Sequence, residues 1–205
     1  MPAISAFLGR DDERAWLAER VASQRLVTVV GPGGIGKTRL VSEWCRREGA
    51  AAFAAGALRC ELAALGPRDE IASEVAGQLG YPSLDSLLLA LGDEPALLVL
   101  DNCEHVLAAA TRLCRRLLEA APALHVLATS REPLGLDGEQ VLVLGPLALP
   151  VSADPADLDA APATRLFEDR ARAAGARLDA SPAERAAVVE LCRRLDGVPL
   201  AIELA

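Results

Sequence analysis

Residues Gly31-Pro32-Gly33-Gly34-Ile35-Gly36-Lys37-Thr38 set four glycines ahead of an adjacent cation and hydroxyl. Glycines let successive backbone N–H groups turn toward one anion, and a helix starting there adds its positive end. The spacing fits GxxxxGK[ST], in which the lysine reaches the β and γ phosphates of a nucleotide and the hydroxyl ligates magnesium. Gly33, Gly34, Ile35, Gly36, Lys37, Thr38 and Arg39 are therefore the candidate phosphate contacts, and Thr38 a candidate metal ligand. A glycine-rich turn that merely joins strand to helix is the bland alternative. The complete motif between a strand and a helix argues against it.

Asp101 follows the apolar run Leu97 to Leu100. A carboxylate at such a strand end holds the nucleotide's magnesium through its water shell, whereas the bland reading is a helix-capping Asp. The next position is where many hydrolysing relatives carry a carboxylate to polarise the attacking water, and here it is Asn102. An amide cannot accept that proton, so any hydrolysis is expected to be slow. Glu104 has two readings, a general base or a solvated first-turn residue favoured by the helix dipole. His105 reads as a surface imidazole or as a contact to the γ phosphate or a partner. Thr129-Ser130-Arg131 ends a further strand, where a guanidinium can sense the γ phosphate or else face solvent in a turn. Lys37, Asp101, Asn102, Glu104 and Arg131 form the candidate catalytic set. Neither a guanine-reading Asn-Lys-x-Asp element nor an LSGGQ-type signature is present.

These residues need elements that bring them to one edge. Leu26 to Val30 is a short apolar run of the kind that makes a buried parallel strand, and Thr38 to Arg47 carries Leu40, Val41, Trp44 and Cys45 at helical spacing. A weaker strand is expected within Ala51 to Cys60. Ile71, Val75 and Leu79 mark a helix closing near Gly80, Tyr81 and Pro82. Ala96 to Leu100, Leu124 to Ala128 and Gln140 to Leu144 read as strands, and Val106, Ala110, Leu113 and Leu117 as a helical face. Alternating strands and helices imply an α/β fold with a parallel sheet and the ligand at the strand C-termini. Gly31, Asp101 and Thr129 each fall just past a strand.

Near Pro146 the pattern changes. Pro150, Pro155 and Pro162 read as a linker, and Ser181-Pro182-Ala183-Glu184 as a capping box opening a helix with Val188, Leu191, Cys192 and Leu195 on one face. The expected division is 1–148 for a nucleotide-binding α/β domain and 149–205 for a helical module. The apolar run at Ala205 has no helix terminator and reads as the edge of a fragment. A net charge of −8 disfavours a nucleic-acid surface. Cys45, Cys60, Cys103, Cys114 and Cys192 are scattered and read as reduced, buried thiols. Charges from Arg10 to Arg14 interrupt any signal peptide, and no apolar stretch is long enough to span a membrane, so a cytoplasmic location is expected.

Phe7-Leu8-Gly9-Arg10 with Glu13, the glycine-rich loop, residues 97–105, Thr129-Ser130-Arg131 and Gly197-Val198-Pro199-Leu200-Ala201 together resemble the NB-ARC family of STAND-class signal-transduction ATPases. The resemblance is nearest to the nucleotide-binding module of SARP-type and LuxR-associated bacterial transcriptional regulators and spans nearly the whole chain. It implies a P-loop NTPase core of AAA+-like kind with a C-terminal helical lid, and adenine contacts from Leu8, Gly9, Arg10 and Pro199. It also implies a switch that is closed with ADP and opens with ATP for oligomerisation, operated by ATP or ADP with Mg2+. The expected partners are an adenine nucleotide, sensor and effector domains of the same full-length protein and a nucleotide-dependent homo-oligomer, without membrane or direct nucleic-acid contact. The opposing expectation is a fast oligomeric motor ATPase, which would want a carboxylate beside Asp101.

Overall fold

The computed structural model describes residues 7–49, 52–53, 56–66, 70–152, 154–176 and 181–205. The described residues form two compact units. One holds Asp11–Pro32 and Lys37–Leu144; the other holds residues up to Arg10, Gly33–Gly36 and Gly145–Ala205.

The first unit is built on five strands: β1 (Leu26–Val30), β2 (Ala57–Glu61), β3 (Ala96–Asp101), β4 (Leu124–Ser130) and β5 (Gln140–Val143). Every residue of β1 and β3 is buried, which explains their unbroken apolar runs: both faces of a parallel sheet are covered. The order is β2-β3-β4-β1-β5 with all neighbours parallel. Register aligns Val30 with Ser130, Leu100 with Ala128 and Glu61 with Asp101, so the strands carrying the predicted chemistry end at one edge.

Around the sheet run α1 (Asp11–Ser23), α2 (Lys37–Trp44), α3 (Ile71–Gln78), α4 (Leu84–Leu91) and α5 (Leu107–Ala120). Side chains from β3, β4, α3, α4 and α5 share the large core, with Leu98, Leu100, Val75, Leu87, Leu113 and Leu117 all buried. α2 passes into a π-helical turn at Cys45–Gly49, so the expected helix over 38–47 is not uniformly α-helical. The strand expected within 51–60 is β2, which begins at Ala57; residues 51, 54 and 55 lie outside the described set. α1 and α4 were not expected. α4 is opened by a capping box in which Ser83 and Ser86 each bond the other's backbone N–H.

The second unit contains α6 (Pro155–Ala160), α7 (Pro162–Ala173), α8 (Pro182–Arg194) and α9 (Pro199–Leu204). Each starts on proline, whose missing N–H costs nothing in a helix's first turn. Pro155 and Pro162 therefore begin helices instead of extending a linker. Ser181 caps α8 by accepting from the Glu184 N–H. Leu147, Ala163, Leu166, Val188, Cys192 and Ile202 form this unit's core. Gly197, at φ +64°, accepts from the Leu147 N–H, and a Cβ there would lie 2.5 Å from Leu147 O. Only glycine fits.

Candidate functional site

At the C-terminal end of β1 the chain turns through the glycine-rich loop into α2, whose first residue is Lys37. Lys37 is 5% exposed, and its Nζ donates to the carbonyls of Gly31 at 2.8 Å and Pro32 at 3.2 Å. Burial lowers its pKa from the ordinary lysine value; Glu104 and Asp101 oppose that shift and Arg131 adds to it. A cation thus sits at the root of the loop, where an anion's charge would be matched.

Asp101 ends β3 and is fully buried. Its Oδ1 accepts from Thr38 Oγ1 at 2.8 Å and from Thr129 Oγ1 at 2.5 Å, while Oδ2 accepts from Arg59 Nη2 at 2.6 Å. The two residues expected to hold magnesium are therefore adjacent. A hydroxyl beside a carboxylate is the hard-oxygen donor set that magnesium takes together with water and phosphate, so these residues fit the ion.

Asn102 has a left-handed backbone, φ 63° and ψ 52°, a conformation Asn tolerates better than most residues. Its N–H donates to Thr129 Oγ1 at 2.9 Å, tying the end of β3 to β4. A short 3-10 turn, Cys103–His105, carries Glu104, which is 12% exposed in its side chain and lies 3.6 Å from Arg131 Nε. Its Oε2 is buried without a hydrogen-bond partner among the described residues. Glu104 is therefore not a solvated first-turn residue. His105 is exposed.

In the second unit, Gly33–Gly36 lies with Leu8, Gly9, Arg10 and Pro199. Arg10 Nη2 donates to Gly145 O at 2.7 Å and Ile35 O at 3.4 Å, and Leu200 N–H donates to Gly34 O at 3.1 Å. A Cβ on Gly34, at φ +75°, would lie 2.8 Å from Leu200 Cβ, and one on Gly36 would lie 4.0 Å from Pro199. Gly9, at φ +67°, packs closely on Pro162, and Leu8 packs against the helical core. Arg39 is half-buried on the first turn of α2.

Arg59 and Ser42 escaped the sequence reading. Arg59 Nη1 donates to Ser42 Oγ at 2.6 Å, and Ser42 Oγ donates to Thr38 O at 2.6 Å. The one available signal was a cation inside an otherwise apolar stretch of β2, and what it meets depends on register with β3.

Among solved structures, the chain is similar to a Walker-type ATPase of Pyrococcus abyssi, with a TM-score of 0.62, 14% identity, and coverage of 96% of this chain and 66% of that one. It is also similar to a Signal Transduction ATPase with Numerous Domains (STAND) protein with a tetratricopeptide repeat sensor from Pyrococcus horikoshii. There the TM-score is 0.59 at 18% identity, over all of this chain and 30% of that one. The chain has the P-loop ATPase fold. No family model matches its sequence. Among curated proteins it is 37% identical over 208 residues to an uncharacterized protein of Mycobacterium tuberculosis, covering 98% of this chain and 50% of the relative. It is 38% identical over 191 residues to a "Putative HTH-type transcriptional regulator" of the same organism, covering 90% of this chain and 20% of that protein. This P-loop ATPase-fold chain thus spans about half the length of the first curated relatives it matches.

Proposed function

We propose that the chain binds ATP or ADP with magnesium on residues 31–38 and reads nucleotide state within a larger transcriptional regulator, hydrolysing ATP slowly. The observation that carries this is the Thr38–Asp101 contact at 2.8 Å, beside a buried Lys37 on the first turn of the helix that follows the loop. Backbone N–H groups of Gly33, Gly34, Ile35 and Gly36, with the start of α2, take the phosphate oxygens. Lys37 supplies the fixed positive charge, and Arg39 borders the phosphates. Thr38 and Asp101 hold magnesium, which when bound neutralises charge on the phosphates.

Hydrolysis needs a group to accept a proton from water, and the residue after Asp101 is an amide. Glu104 is the nearest carboxylate in sequence, with one oxygen facing Arg131 and the other buried and without a hydrogen bond among the described residues. In this reading Arg131 neutralises developing charge and Glu104 orients water, a weaker arrangement than a base beside Asp101. Leu8, Gly9, Arg10 and Pro199 take the adenine, as the family resemblance implies; Arg10 and Pro199 adjoin the loop's Ile35 and Gly36. Residues 1–148 act as the nucleotide-binding domain and 149–205 as its lid. Sensor and effector domains of the same protein are the partners, and a homo-oligomer is the ATP-bound output. The relative described as an HTH-type regulator, of which this chain matches a fifth, supports that setting.

Denaturing purified protein and identifying the released nucleotide, with parallel measurement of steady-state turnover, tests the reading. Bound ADP with turnover below about one per minute, far under typical enzyme rates, is the expected result. Nucleotide-free protein that hydrolyses ATP at many turnovers per second would instead establish a fast ATPase.

A further inference from the structure

We infer that Arg59 is a resident cation for the Asp101 carboxylate, a positioning residue that competes with magnesium and sets the metal concentration at which nucleotide is gripped. The inference rests on the magnesium role proposed for Asp101 and extends it to a residue outside the recognised motifs.

Asp101 is fully buried, and a carboxylate there needs a counter-charge or strong donors. Thr38 and Thr129 supply two neutral donors to Oδ1, and Arg59 supplies the charge to Oδ2 at 2.6 Å. The guanidinium is held in place from its other side. Nη1 donates to Ser42 Oγ, Ser42 Oγ donates to Thr38 O, and Thr38 Oγ1 closes the circuit on Asp101. Arg59 thereby links the two residues that hold the metal in the proposed function. A cation bound at Thr38 and Asp101 would share one carboxylate with a guanidinium, and two positive charges that close repel even at an effective dielectric of about 20. Arg59 is 43% exposed in its side chain, so it can withdraw toward solvent, whereas Asp101 cannot. The carboxylate is therefore neutralised by Arg59 without metal and released from it with metal.

The test is a magnesium titration of fluorescent-ADP binding by the full chain, comparing the parent with Arg59→Gln and Arg59→Lys. Thermal melts of all three proteins in EDTA and in magnesium without nucleotide accompany it. Arg59→Gln should half-saturate at about fivefold less magnesium than the parent, the effect of relieving a modest part of that repulsion. Arg59→Lys, which keeps the charge, should lie within about twofold of the parent. In EDTA the Gln variant should melt below the parent, and magnesium should restore its stability to that of the parent. A Gln midpoint equal to or above the parent's overturns the proposal and leaves nucleotide binding intact. A parent that binds no ADP at any magnesium concentration overturns the nucleotide reading, and the melts then decide Arg59 alone: restoration by magnesium supports its role and no restoration overturns it. Should Arg59→Gln fail to fold in both buffers, Ser42→Ala replaces it. That variant frees the guanidinium without removing its charge, and the expected drop in midpoint is about twofold; an unchanged midpoint overturns the proposal.

Discussion

Thr129 serves two strands at once: its hydroxyl donates to Asp101 and accepts from the Asn102 N–H. Thr129→Val keeps the shape and strands both partners in a buried place, so urea unfolding should show a loss of about 1–3 kcal/mol. A loss under about 0.5 kcal/mol would mean that other groups or water satisfy Asp101. Asn102→Asp places a carboxylate where hydrolysing relatives carry one, and Asp tolerates the left-handed backbone nearly as well as Asn. ATP turnover should rise at least about tenfold, within the range of general-base effects, with ADP affinity changed less than turnover. Equal turnover in the two proteins would remove Asn102 as the reason for slowness. At this scale the sequence named Lys37, Thr38 and Asp101 by motif, because a loop binding phosphate constrains neighbours along the chain. Arg59 stayed hidden because its partner is 42 residues away and the contact arises from β2–β3 register.

Full burial made the central strands the most legible elements. β1 and β3 announced themselves by unbroken apolar runs, while β2 at the sheet edge, with residues of mixed exposure, was blurred. α4 ends in the unbroken apolar run Leu87-Leu88-Leu89-Ala90-Leu91 before Gly92, and so short a run has no clear period to read. The prolines at 155 and 162 look like linker residues in sequence yet open helices, because proline fits a helix's first turn as readily as a linker. Gly197 gives the sharpest test of an element junction. Gly197→Ala would set a Cβ 2.5 Å from Leu147 O on a left-handed residue, so the second unit should lose at least about 1–2 kcal/mol, read by chemical unfolding. Unchanged stability would show that the segment entering α9 adopts another backbone.

At the scale of the whole molecule, burial controls the cysteines. All five are free, and burial pushes Cys45, Cys60 and Cys192 up to about 11, Cys114 up to about 12 and Cys103 higher still. Folded thiols then stay protonated where unfolded ones ionise, near pH 8.5, so the folded state binds more protons and stability falls as pH rises from about 8.5 to 11. Lys37, whose pKa is lowered, works in the opposite direction, one group against five. Urea midpoints should drop between pH 7.5 and pH 10, and native protein should react slowly with iodoacetamide at pH 8 while the denatured chain reacts at all five sites. Rapid alkylation of the native protein would contradict the packing around Cys60, Cys103 and Cys114. Calorimetric titration of ADP with magnesium into the parent and Lys37→Ala reads the grip of the phosphate loop itself. A phosphate site on residues 31–38 requires saturable binding to the parent and a loss of about tenfold to a hundredfold in the variant, the worth of hydrogen bonds to a charged group, with an unchanged circular dichroism spectrum. Equal affinity in the two proteins would contradict it.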